Sequence, residues 1–155
     1  MSIQGRDAFI SAMKQEIGEP YIWAKHDCSE TVSKCLRVAG ETILDSESSA
    51  AGLYNKYKDK KVERLQAPPG SLYFYGDDAN HITHVMAVCA HWDSAGIVLI
   101  GTRGGDNTTL TPEDAARRRA FTDAVWGDYW LYKFVAAVDP FAENDVGDET
   151  IIQKP

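Results

Sequence analysis

At 155 residues the chain is long enough for one domain with a proper core and too short for two ordinary ones. Its apolar and charged fractions, 44% and 25%, are those of a globular protein and exclude wholesale disorder. A net charge of −7 excludes the basic footprint that nucleic acid or an anionic membrane surface requires.

In chain order, residues 1–7 carry no basic start followed by an apolar run, and no segment is long and apolar enough to span a bilayer. The chain is therefore expected to be made in the cytoplasm without a signal peptide and without membrane insertion. Residues 7–17 place Phe9, Ile10, Met13 and Ile17 at helical spacing, with Gly18 as the stop. Pro20 sets a turn and a short extended piece through Trp23. Asp27-Cys28-Ser29-Glu30 then offers Asp27 as a helix N-cap, with Glu30 three residues on as a variant capping box. Val32, Cys35, Leu36 and Ala39 continue as an apolar helical stripe that Gly40 ends. A weaker helix is predicted over about 47–58, with Leu53, Tyr54 and Tyr57 inward.

Pro68-Pro69-Gly70 is a hard break, and beyond it the period is that of strands. Residues 71–75 are aromatic-rich, 84–91 are apolar on both faces, 97–100 follow a turn at 93–96, and a last strand covers about 129–138. Before that strand, Thr111-Pro112-Glu113-Asp114 opens a short helix with proline first and acids in its first turn. Residues 143–155 are acidic and unpatterned, a predicted flexible tail. Helices followed by a strand meander make one α+β domain over residues 1–142, its helices packed on a small antiparallel sheet.

The chemistry centres on cysteine. Three cysteines are too odd a set for a disulfide framework. Cys28 and Cys35 on one helix stand about 10 Å apart, beyond the roughly 7 Å a disulfide spans. Cys35, on the helix stripe, and Cys89, inside an apolar strand, read as small buried hydrophobes. Cys28 opens a helix, where unpaired N–H groups and the dipole favour a thiolate, so an anionic sulfur is expected there. Such a nucleophile needs a base, usually histidine. Of four histidines, His26 is too near in sequence to face Cys28, His91 ends a strand, and His81 lies in a loop. His84 opens the buried strand at the rim of the sheet and is the choice, with His81 in reserve. A zinc site from His81, His84 and Cys28 or Asp27 is disfavoured because the segment is not helical; no metal and no cofactor are expected.

Four stretches now stand in order over roughly residues 5–138: Gly18-Glu19-Pro20-Tyr21-Ile22-Trp23, Asp27-Cys28-Ser29, Pro69-Gly70-Ser71-Leu72-Tyr73-Phe74-Tyr75-Gly76 and Thr83-His84-Val85. Together they resemble the NlpC-type cell-wall cysteine peptidases; residues 129–140 are similar, more loosely, to phage-encoded members. The resemblance implies a papain-like fold in which Cys28 is the nucleophile and His84 the base. It implies that Tyr21 stands near the oxyanion, with the Cys28 N–H as another donor, and that Asp27 and Ser29 line the substrate site. The implied substrate is the stem peptide of peptidoglycan, often at the bond after γ-D-glutamate. Action at the cell wall would follow lysis, injection, or carriage in a virion, with a phage tail or other delivery component as partner.

Departures from the family pattern are specific. Glu30 replaces the usual glycine after Asp-Cys-Ser, and the spacing from Tyr21 to Cys28 is short. The family's third catalytic position, a polar residue orienting the histidine, falls near residues 99–102. Simple alignment places Gly101 there, with Thr102, His91 or a backbone carbonyl as substitutes, and Thr102 is taken for the role. A missing orienter supports a competing reading, a non-catalytic virion or assembly module that retains a peptidase fold. Acyl transfer by the same dyad is a third reading.

Overall fold

The computed structural model of the chain describes residues 2–92 and 96–142, so the acidic tail and all but Gly96 of the predicted turn at 93–96 lie outside it. Helix α1 (Ser2–Gln15) buries Phe9 and Met13 but stops before Ile17, which stays exposed. Gly18, at φ +96°, turns the chain there, and its N–H donates to Thr122 O at 2.8 Å. Helix α2 (Cys28–Val38) buries the predicted stripe of Val32, Cys35 and Leu36. The helix predicted over 47–58 is in two parts. A 3-10 turn (Asp45–Glu47) comes first, then α3 (Ala50–Tyr57), capped by Ser49 and burying Leu53, Tyr54 and Tyr57.

The sheet has six antiparallel strands: β1 (Lys61–Val62), β2 (Leu72–Gly76), β3 (Ile82–Trp92), β4 (Gly96–Arg103), β5 (Phe121–Trp126) and β6 (Phe134–Val138). Strands β2 to β4 follow the predicted meander and β5 extends it, whereas the predicted last strand, β6, returns to lie between β1 and β2. Helix α4 (Pro112–Arg118), capped by the Thr111 side chain, joins β4 to β5 as its proline and acids require. Two strands were not predicted. β1 is only two residues long, and β5 lies at the edge of the sheet with Thr122 as its one fully buried residue. The last strand starts at Phe134 rather than residue 129, because Trp130 takes a left-handed conformation (φ 49°) and residues 131–133 form a 3-10 turn.

Both faces of the sheet are covered, which is why residues 72–76 and 85–89 read as continuous apolar runs. Phe74, Val85, Ala87, Ile100 and Val138 face the helices, with Cys35 and Cys89 as buried members of the same core. Tyr73, Tyr75, Met86, Val88 and Leu99 make a second core on the opposite face, walled partly by Tyr129, Trp130 and Phe134. Irregularities flank Tyr75: between Phe74 and Tyr75 the register against β6 shifts, with Val135 the extra residue, and between Tyr75 and Gly76 the register against β3 shifts, with Thr83 the extra residue. Such bulges re-aim a side chain.

Arg6 ties α1 to the end of the sheet. Its guanidinium donates to Asp139 at 3.0 Å and to Pro69 O at 2.7 Å, and Asp139 is buried. Removing one partner strands a buried charge. Arg6→Ala is expected to lower unfolding free energy by about 3–5 kcal/mol in urea titrations. A loss below about 1 kcal/mol would show that this pair is not a fastening point.

Candidate active site

Asp27 builds the entrance to α2. It adopts extended backbone, and its carboxylate accepts the Glu30 N–H at 3.0 Å, the Ala24 N–H at 2.9 Å and the Ser29 hydroxyl at 3.3 Å. The Ala24 bond holds a non-glycine residue at φ 65°, a conformation that needs such support. The sequence reading of Asp27 as a cap is therefore realised, and its carboxylate lies beside the thiol of Cys28 at the first helical position.

The paired register between β3 and β4 runs from Trp92–Gly96 to Ala87–Ile100. Beyond Ala87 the backbone N–H groups of Val85, Ser29 and Cys28 itself lie close enough to the Cys28 sulfur to favour its anion. The first turn of α2 thus meets β3 where β3 parts from β4. Cys28 and His84 line one cavity of about 210 Å³ together with Tyr21, Arg103, Tyr129 and Trp130. On its other side Cys28 borders a second cavity of about 520 Å³, with Trp23, Asp27, Ser29, Glu30 and Asp45 in the wall. Tyr21 and Thr83 are shared by both. The sulfur therefore stands at the division between an aromatic chamber and a larger acidic one.

Electrostatics corrects one expectation. Burial, followed by the Asp27 charge, pushes the Cys28 thiol up to about 12; the backbone N–H groups act the other way and are outweighed. Burial, followed by Arg103, pushes the His84 imidazolium down to about 4. At neutral pH the sulfur is a thiol and the imidazole is uncharged, not the predicted thiolate at a helix terminus. Burial raises Cys35 and Cys89 to about 12 as well, so charge does not set Cys28 apart; access does. No hydrogen bond joins Cys28 to His84 among the described residues.

His84 is held by rings. Its centroid lies 5.6 Å from Tyr75, 5.9 Å from Tyr129 and 5.7 Å from Trp130. Its Nε2 is buried without a hydrogen-bond partner. Arg103, the charged neighbour in this chamber, is fixed by two bonds to Asp123, at 2.8 and 2.9 Å, and lies 5.4 Å from the Tyr129 ring centroid.

The remaining sequence candidates fall into place around this centre. Thr102 borders the chamber, but its hydroxyl is shared with Thr31 at 2.7 Å and Thr122 at 2.5 Å, in a buried chain that Thr31 continues to Asp27 O at 2.9 Å. It makes no hydrogen bond to His84, because it is spent fastening α2 to β4 and β5. Gly101 cannot offer a side chain there: a Cβ would meet Met86 Sδ at 2.3 Å. His91 bonds Ala67 O at the other end of β3. His81 is exposed and pairs with Asp78 at 2.8 Å. His26 ties the approach loop to α1, its ring nitrogens 2.9 Å from Pro20 O and 2.7 Å from the Glu16 carboxylate. Glu30, at the family's glycine position, lines the acidic chamber and accepts from the Ser48 hydroxyl at 3.0 Å.

Sequence reasoning assigned no site role to Thr83, Arg103, Gly104, Gly105, Tyr129 or Trp130. The pair Gly104-Gly105 carried a signal, since two glycines after a strand mark a close approach. A Cβ on Gly105 would meet the Tyr21 ring at 2.4 Å.

No protein-family model and no curated protein sequence matches this chain. Solved structures do. A lipoprotein-like NLP/P60-family protein of Staphylococcus aureus aligns over 87% of this chain with a TM-score of 0.60 and 16% identity. The chain spans 41% of that protein's length. RipD of Mycobacterium tuberculosis, a non-catalytic NlpC/p60 domain protein adapted to peptidoglycan binding, aligns over 79% of this chain and 88% of its own at a TM-score of 0.56 and 16% identity. RipB, a peptidoglycan hydrolase of the same organism, aligns over 81% of this chain and 59% of its own at 0.57 and 16%. This chain has the α+β NlpC/P60 fold. No helix among the described residues is long and apolar enough to cross a membrane.

Asp27→Asn removes the charge that raises the Cys28 thiol and leaves the Ala24 N–H poorly matched, at a cost of about 1 kcal/mol. The thiol is expected to titrate below about 12 in this variant. Iodoacetamide labelling of Cys28, followed by mass spectrometry across pH 6–10, is then faster than in the wild type, whose rate still climbs above pH 9. A wild-type rate that levels off below pH 7 would contradict the neutral-thiol assignment.

Proposed function

We propose that this protein is a cysteine hydrolase that cuts an amide bond in peptidoglycan stem peptides, with Cys28 as nucleophile and His84 as base. The observation that carries the reading is that the thiol opening α2 and the imidazole near the start of β3 line one cavity with Tyr21. An NlpC/P60 fold, with a peptidoglycan hydrolase among its structural neighbours, supports the substrate class.

With both groups neutral, the reaction is general-base catalysis rather than attack by a resident thiolate. The Cys28 proton passes to His84 as the sulfur bonds to the substrate carbonyl carbon. His84 then protonates the leaving amine, and water cleaves the resulting thioester. Backbone N–H groups of the first α2 turn and the Tyr21 hydroxyl would serve as donors to the developing oxyanion. Asp27 and Ser29 line the neighbouring chamber, and the carboxylates of Glu30 and Asp45 suit it to a cationic part of the peptide. Delivery by a phage tail, by lysis or in a virion belongs to the same proposal and is carried by the sequence resemblance alone.

The second reading, a peptide-binding module without turnover, is favoured by one observation: His84 Nε2 has no partner to orient the ring. RipD shows that a protein of this fold can bind peptidoglycan without catalysis.

Mass spectrometry of defined stem peptides incubated with wild type and Cys28→Ala separates the two. Hydrolysis by the wild type and its loss by at least 10³-fold in the variant are expected. Binding without cleavage by both proteins would establish the module. Because His84 stays unprotonated down to about 4, the acid limb of kcat/KM is expected near pH 4 rather than near 6.5. A limb near 6.5 would mean that the imidazole is solvated during turnover.

A further inference from the structure

Three buried side-chain polar atoms among the described residues have no hydrogen-bond partner: Ser71 Oγ, Tyr75 Oη and His84 Nε2. Orphans of this kind are rare enough to need a reason. Ser71 precedes β2 at its far end, about 13 Å along the strand from Tyr75. Tyr75 and His84, in contrast, are direct cross-strand partners in the β2–β3 pairing, with ring centroids 5.6 Å apart. Both pack against Tyr129 and Trp130, and Tyr75 is fully buried.

The requirement of the base points the same way. A neutral imidazole has one N–H and one lone pair. Only Nε2 of His84 is buried and unpartnered, which leaves Nδ1 as the nitrogen available to the thiol. For Nδ1 to accept the Cys28 proton, Nε2 must carry the hydrogen, and a buried N–H needs an acceptor. The strand that in a typical site would supply one does not: Gly101 has no side chain and Thr102 is committed to Thr31 and Thr122. Bulges in the two strands beside β2, at Thr83 in β3 and at Val135 in β6, bracket Tyr75, whose ring packs in the His84 cluster.

We infer that Tyr75 is the positioning residue for His84: its hydroxyl, through one internal water, accepts the Nε2–H and fixes the ring in the tautomer that can take the Cys28 proton. A buried water commonly satisfies two such groups at little cost. The inference rests on the Cys28/His84 reading for its purpose, but its physical content is a tautomer, which can be measured without turnover.

The test is long-range 1H–15N NMR of protein labelled with 15N-histidine at pH 7. The Nε2–H tautomer of His84 is expected in the wild type, with an Nε2 proton protected from solvent exchange. Tyr75→Phe, which removes only the hydroxyl, should shift the Nε2 resonance and speed exchange of its proton roughly 10-fold or more. Tyr73→Phe removes a hydroxyl that bonds Arg64 O outside the site and should leave His84 unchanged. Where stem peptides are cut, Tyr75→Phe should lower kcat by about 10-fold or more with KM within about two-fold, part of what general-base catalysis contributes. An Nδ1–H tautomer in the wild type, or His84 signals unmoved by Tyr75→Phe, overturns the inference. If the wild type cuts no peptide while the NMR coupling is present, the hydrolase reading falls and the positioning stands.

Discussion

The carboxylate of Asp27 is the constraint on which the centre depends. One side chain caps α2, supports the left-handed turn at Ala24 and receives the Ser29 hydroxyl, all while lying beside the sulfur. The position of Cys28 therefore follows from the cap, and its chemistry is set against that cap. A negative charge at a helix N-terminus stabilises the helix but competes with any other anion there. The peptide N–H groups near the sulfur are too few to reverse the effect of burial and of Asp27. Structure and reactivity draw on the same local field with opposite signs.

His84 shows the complementary solution. Its ring is enclosed by three aromatic side chains from β2 and from the segment between β5 and β6. Enclosure of this kind fixes orientation by packing and at the same time keeps the imidazole uncharged. The nearby cation, Arg103, reinforces neutrality instead of opposing it. Burial thus leaves both the thiol and the imidazole in their uncharged forms at neutral pH.

Much of this was legible in the sequence, for identifiable reasons. The α2 stripe, the Asp27 cap and the Gly18 and Gly40 stops obey local rules that leave a periodic trace. The apolar run around residues 85–89 announced a strand buried on both faces, and with it a histidine at the rim. What escaped has no periodic trace. β5 is an edge strand whose buried Thr122 acts through a hydroxyl chain, and Tyr129, Trp130 and Arg103 reach His84 only because of where the chain returns. The ionisation of Cys28 was misread for another reason. Position in a helix is visible in a sequence, whereas the depth at which that helix end is buried is not.

The return of β6 between β1 and β2 has a consequence for biogenesis. A ribosome exposes α1 through β5 before the strand that completes the sheet exists, so β2 must wait with one edge unpaired until residue 138 has left the exit tunnel. The Tyr129–Trp130 wall closes in the same late step. The helix that carries Cys28 can form early, but the enclosed imidazole near it is assembled only after residues 129–138 have followed.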